Sequence, residues 1–204
     1  MLDIRYFKIK SIMSRYSFLK LCLLVAMVFC YGNGYAQTDD RIELIRANFK
    51  YINSSLDKFD KKVIELPSEL SESTEGGELV AYAESGKLRK LVLGNYSESG
   101  KVIIEYYFTE NELFFCFVQK STYNVPFTVD EERAKEMGLD EWFDEEKTEV
   151  EENRYYYHDG LLIRWIDEDG NRVDSTSREF REKEVAVKQS LKSLVGMIKK
   201  QAGG

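Results

Sequence analysis

EYYFTENELFF, residues 105–115, and RYYYHDGLLIR, residues 154–164, align without a gap, and their reading decides the fold. Each runs from paired or tripled aromatics into a short polar turn, Thr109–Asn111 in one and Asp159–Gly160 in the other. Each then returns through leucine and further apolar residues. Strand-forming residues on both sides of a tight turn predict two antiparallel strands joined as a hairpin. A third pair, LVAYAE and LRKLVLG around the turn SGK at residues 85–87, follows the same scheme of Tyr, two or three residues, a turn and Leu. Three hairpins in succession make a meander of about six strands.

Aromatics and leucine beside a turn are what any antiparallel meander selects; the repetition is also the mark of a true hairpin repeat. The element is similar to the YYxxGxL unit of MORN-type repeats, with irregular spacing and no glycine in Thr109–Asn111. The resemblance implies no function here.

Outside the hairpins the apolar spacing changes. From Asp39, residues Ile42, Ile45, Phe49, Ile52, Leu56 and Phe59 recur at steps of three and four, which predicts an amphipathic helix to about Lys61 with Thr38 as its N-cap. Pro67 and the run Ser68–Glu78 read as a solvated connection. After the turn Asp167–Asn171, a last helix is expected from Ser177, with Phe180, Val187, Leu191, Leu194 and Ile198 on one face. The fold class is therefore α+β, an antiparallel β-meander packed against N-terminal and C-terminal helices, both expected on one face of the sheet. Parity assigns Val102, Ile104, Tyr106 and Phe108 to that face, together with Tyr155, Tyr157, Ile163 and Trp165. The strand Leu113–Val118 is apolar on both faces, which predicts a central position with its outer face also partly covered, the acidic insertion being the expected cover.

The 204 residues include 43% hydrophobic and 32% charged side chains, two prolines and a net charge of -7, which excludes collagen-like and disordered chains and disfavours phosphate-driven nucleic-acid binding. Residues 1–36 have the pattern of a signal peptide. Arg15 and Lys20 precede the apolar run Leu21–Tyr31, and Gly34 and Ala36 provide the small residues for cleavage after Ala36. As a helix, that run rises only ~16 Å, too short for a hydrocarbon core of ~30 Å, so no membrane span is expected after cleavage. Translation from Met13 gives a signal of ordinary length. The predicted mature chain, residues 37–204, is a single domain with a charge of -11 and an acidic insertion at Asp130–Asn153, where twelve acids face three bases. Met137, Leu139, Trp142 and Phe143 are expected to pin that insertion to the surface as one or two short helical turns.

The chemistry is sparse. His158 is the only histidine, and no nucleophile-elbow, zinc-helix, phosphate-loop or dinucleotide motif is present. Cys116 in FFCFV reads as a buried packing residue, and Asp167–Asn171 as a turn whose glycine and twelfth position do not match a calcium loop. Neither cofactor nor metal is expected. The candidate ligand-binding residues are Glu105, Tyr107, Arg154, Tyr156, His158 and Arg164, which parity gathers on the outer sheet face. Aromatic rings flanked by polar groups stack on sugars or peptides, and cross-strand pairing explains the same residues without a ligand. The expectation is an exported, non-enzymatic binding or structural module of the cell envelope, with a glycan, a peptide or an envelope protein as partner. The alternative is a carboxylate-dependent hydrolase acting outside the cytoplasm.

Overall fold

A computed structural model describes residues 40–66 and 76–202. The expected signal peptide, the Thr38 cap and Pro67 through Glu75 lie outside the described residues. The chain divides into two units between Leu44 and Ile45. Residues 40–44 of the first are the opening of helix α1, which runs over 40–53; the second unit, Ile45–Gly204, is described below.

Its centre is one seven-stranded antiparallel sheet in sequence order: β1 (Asp60–Leu66), β2 (Gly77–Glu84), β3 (Lys87–Ser97), β4 (Gly100–Thr109), β5 (Glu112–Thr122), β6 (Glu149–His158) and β7 (Leu161–Ile166). The first strand was not foreseen. Leu56 and Phe59 continue the helical spacing, yet α1 stops at residue 53 and a short 3-10 turn, Leu56–Lys58, leads into β1. At that stop Asn53 Nδ2 donates to the Phe49 carbonyl and Ser54 Oγ to the Tyr51 carbonyl. Such short polar side chains compete with the helical backbone bonds.

The hairpin repeat is structural. All three expected turns have two central residues with positive φ: Ser85 and Gly86, Glu110 and Asn111, Asp159 and Gly160. This is the turn whose twist matches paired strands. Each hairpin shifts register at one equivalent point, between Tyr82 and Ala83, between Tyr107 and Phe108, and between Tyr156 and Tyr157. The extra residues on the returning strands are Arg89, Phe114 and Ile163. Ala81, Tyr106 and Tyr155 are thus equivalent. The first two are 25 residues apart and the last two 49, and shortening the 26-residue excursion 123–148 to a two-residue turn restores 25.

Those bulges correct one parity assignment. Leu162, not Ile163, joins the core beside Trp165, because Ile163 is the bulged residue. Of the other assignments, Tyr106, Phe108, Tyr155, Tyr157 and Trp165 lie in the core with Leu79, Leu91 and Cys116, and Ile104 packs against them, whereas Val102 is half-buried outside that cluster. Helix α3 (Arg178–Ala202) covers this face through Phe180, Val187 and Leu194, and the Ser177 hydroxyl caps its first turn by accepting from the Phe180 amide at 3.1 Å. α1 does not share it. Phe49 packs at 4.9 Å from Tyr107 and 5.4 Å from Phe115, residues of opposite parity, so the two helices lie on opposite faces. The doubly apolar β5 accordingly owes its second cover to α1 and not to the acidic insertion.

That excursion is shorter than expected, because Glu149–Asn153 belongs to β6 and pairs with β5. It holds helix α2 (Glu131–Met137), capped by Asp130, and a 3-10 turn, Glu145–Lys147. Phe143 pins it, with its ring 5.1 Å from Tyr123 and its amide on the Val129 carbonyl. Met137, Leu139 and Trp142 instead stay 57, 42 and 47% exposed.

Candidate functional site

On the face under α1, two rows of side chains run across the strands. One passes through Lys90, Tyr107, Phe115, Tyr156 and Arg164; the next through Glu105, Phe117 and Arg154. The aromatic members follow from strand propensity, and the pleat fixes their common face. Five of the six expected residues therefore meet. Their face is covered, as expected of part of it, but by α1: Tyr107 is fully buried and Tyr156 is 8% exposed, because the apolar stripe of α1 needs this same surface.

Beneath α1 the polar groups close into a network. Lys90 Nζ reaches Glu105 Oε1 at 2.7 Å and donates to Asn53 Oδ1 at 2.9 Å. Asn53 Nδ2 donates to the Tyr107 hydroxyl at 3.1 Å, and that hydroxyl donates to Glu105 Oε2 at 2.5 Å. The Lys90 ammonium also stands 4.8 Å from the centre of the Tyr107 ring. Burial first, and then the adjoining Glu105 carboxylate, push the Tyr107 phenol far above its ordinary value. The phenol is a fixed donor.

Beside this network opens a cleft of about 300 Å³. Phe49 of α1 and Phe115, Phe117 and Tyr156 of the sheet supply its apolar surface, and Glu105, Glu152, Arg46 and Arg154 its polar one. Phe115 and Tyr156 lie 5.0 Å apart, and the Arg154 guanidinium sits 5.7 Å over the Phe117 ring. Glu152 accepts from Arg154 and, at 3.2 Å, from Gln119 Nε2. Both carboxylates thus already hold donors and present oriented acceptors to anything lodged on the rings.

Of the expected residues, Glu105, Arg154 and Tyr156 line the cleft. Tyr107 belongs to the network behind it, and Arg164 lies opposite Tyr156 on β7. His158 does not join them. It ends β6 at the hairpin turn, with Nε2 3.3 Å from the Asp159 carboxylate. Sequence reasoning missed Lys90, Asn53 and the cover from Phe49. A lysine in a strand reads as solvated, and only its flanking apolar residues in LRKLVLG hinted otherwise.

Elsewhere the chemistry stays quiet. Cys116 is fully buried, and burial followed by the Glu105 charge raises its thiol pKa well above the ordinary range. Asp167–Asn171 closes as a turn, with the Gly170 amide on the Asp167 carbonyl and the Asn171 amide on the Asp167 carboxylate. Among the described residues no three His, Cys, Asp or Glu side chains cluster as a metal site, and no helix is long and apolar enough to cross a membrane. The sheet edges are β1, which carries Asp60, Lys61, Lys62 and Glu65, and β7, whose Ile166 bridges to Arg172. Charges of this kind discourage strand addition at β1.

The chain matches no known protein family, no curated protein and no solved structure.

Proposed function

We propose that the chain is an exported, non-enzymatic binding module of the cell envelope and that the cleft between α1 and β4–β6 receives its ligand. The observation that carries this reading is the combination, in one recess, of four aromatic rings with two carboxylates and two guanidinium groups. An apolar wall with a few fixed polar groups is the usual composition of a small-ligand site. A single sugar residue of a glycan suits it best, with one face on Phe117 or Tyr156 and its hydroxyls donating to Glu105 or Glu152. The thermal unfolding of the protein in the presence of glycans, peptidoglycan fragments and peptides tests this. A ligand at 100 times its Kd stabilises the folded state by about 2.7 kcal/mol. A glycan should raise the melting temperature of the wild type and not of Phe117→Ala. A panel without effect, or an equal shift in the variant, opposes the reading.

Glu105 and Glu152 sharing one cleft supports the second reading, a carboxylate-dependent hydrolase. Turnover of chromogenic glycosides that disappears in both Glu105→Gln and Glu152→Gln supports it, and their unaltered binding without turnover supports the first.

A further inference from the structure

Ala81 and Ala83 occupy the places that Tyr106 and Phe108 hold in the second hairpin and Tyr155 and Tyr157 in the third. Ala81, Tyr106 and Tyr155 pair with Leu91, Cys116 and Trp165, while Ala83, Phe108 and Tyr157 pair with the leucines Leu88, Leu113 and Leu162. The backbone repeats, but in the first hairpin two aromatic rings are missing from the α3 face. Where neighbouring structure is fixed, removed side-chain volume persists as space.

That space is visible. A cleft of about 720 Å³ runs between the first two hairpins and α3, with Ala81, Ala83, Leu88 and Phe108 on the sheet side and Leu191 and Val195 on the helix side. Its volume lies within the ~300–1,000 Å³ of small-molecule sites. Among the described residues the walls offer carbon and no buried hydrogen-bonding side chain, so a hydroxylated ligand would lose its water partners without replacement. Polar groups gather at the mouth, where Asp60 stands with Lys61, Lys62 and the neutral Asn111. Lys61 leans over the Tyr82 ring at 6.0 Å, while Asp60, opposite Ala83, and Lys62, opposite Ala81, share the α3-facing parity of Ile64, and Lys62 forms no ion pair among the described residues. A second cleft of about 420 Å³ shares Leu113, Leu191 and Val195 with it and adds Tyr157, Lys188 and Lys192. Lys188 is already held by Glu184 at 2.5 Å, which leaves Lys192 as the second cation.

We propose that this recess binds the hydrocarbon chain of a single long-chain fatty acid, with its carboxylate at the mouth beside Lys62. The site is separate from the cleft under α1, and neither depends on the other.

Displacement of a fluorescent fatty-acid analogue from the full chain by saturated fatty acids of increasing length is the test. Affinity should rise about fourfold per added methylene until the recess is full and then level off. Hexadecyltrimethylammonium, with the opposite head charge, should bind less tightly than palmitate. Ala83→Phe, which restores the ring of the second hairpin, should abolish displacement and raise the melting temperature. Should that variant fail to fold, Val195→Glu, at a half-buried position on α3, sets a carboxylate into the wall and should abolish binding by itself. Absence of palmitate binding in the wild type, a flat chain-length series, or unchanged binding in a folded variant overturns the proposal.

Discussion

Lys90 and Glu105 meet at 2.7 Å beneath the first helix, on neighbouring strands, with side chains only 6 and 21% exposed. The pair joins α1 to the sheet, since Asn53 accepts from the same ammonium and donates to the phenol that Glu105 holds. Removing one partner of such a pair leaves the other charged and desolvated, which costs about 3–5 kcal/mol. Lys90→Met should therefore destabilise the protein by about 3 kcal/mol in urea titrations. The double variant Lys90→Met with Glu105→Gln should lose less than the sum of the single changes. Additive losses would show that the two side chains do not act together.

Tyr157 carries a hydroxyl that is buried without a hydrogen-bond partner among the described residues, at the place where the second hairpin has Phe108. Its ring is needed and its oxygen is not. Tyr157→Phe should be neutral or stabilising by about 1 kcal/mol, whereas Tyr106→Phe, which loses a bond to Ser190 Oγ at 3.1 Å, should be destabilising. Chemical denaturation of both variants separates the two cases.

Four buried phenols fix the alkaline limit of the fold. Desolvation raises the pKa of Tyr106, Tyr107, Tyr155 and Tyr157 above the ordinary value of 10.0. A folded-state pKa above the unfolded one contributes stability that is complete below pH 10 and is lost as pH rises towards the folded value. Urea stability should consequently fall above about pH 10. Tyrosinate absorbance at 295 nm should rise first for the exposed tyrosines and then, together with unfolding, for these four. Their ionisation in a folded protein would contradict the burial described here.

Cys116 should be unreactive to a disulfide reagent at pH 8 in the native protein, because the thiol is both enclosed and held protonated. Addition of denaturant should expose one thiol per mature chain, since Cys22 and Cys30 precede the expected cleavage site. Export has its own check. Sequencing the amino terminus of protein recovered from outside the cytoplasm should begin at Gln37.

Much of this fold is legible in the sequence, and its gaps have physical causes. Turn chemistry and alternation place the three hairpins and the inward set from Ile104 to Phe108, since both are local. The bulges are not local signals. Ile163 and Leu162 are equally apolar, and only the register across to Tyr157 decides which of them turns inward. The first strand was hidden because Leu56 and Phe59 prolong a helical spacing past the point where Asn53 and Ser54 end the helix. The face chosen by α1 was also out of reach. The doubly apolar β5 announced a second cover, but nothing in a helix stripe says which side of a sheet it will meet. The site was half visible for the same reason: parity gathered Glu105, Arg154 and Tyr156, whereas Lys90, Asn53 and Phe49 are defined by long-range packing.

The most direct test of the central claim is a nitrogen–proton NMR titration of the protein with a peptidoglycan disaccharide and with the peptide stem alone. Binding in the cleft under α1 predicts saturable shifts at the amides of Phe49, Phe117, Glu152 and Arg154 with the disaccharide, and their absence in Phe117→Ala. Saturable shifts confined to other surfaces, or none at millimolar ligand, would contradict it.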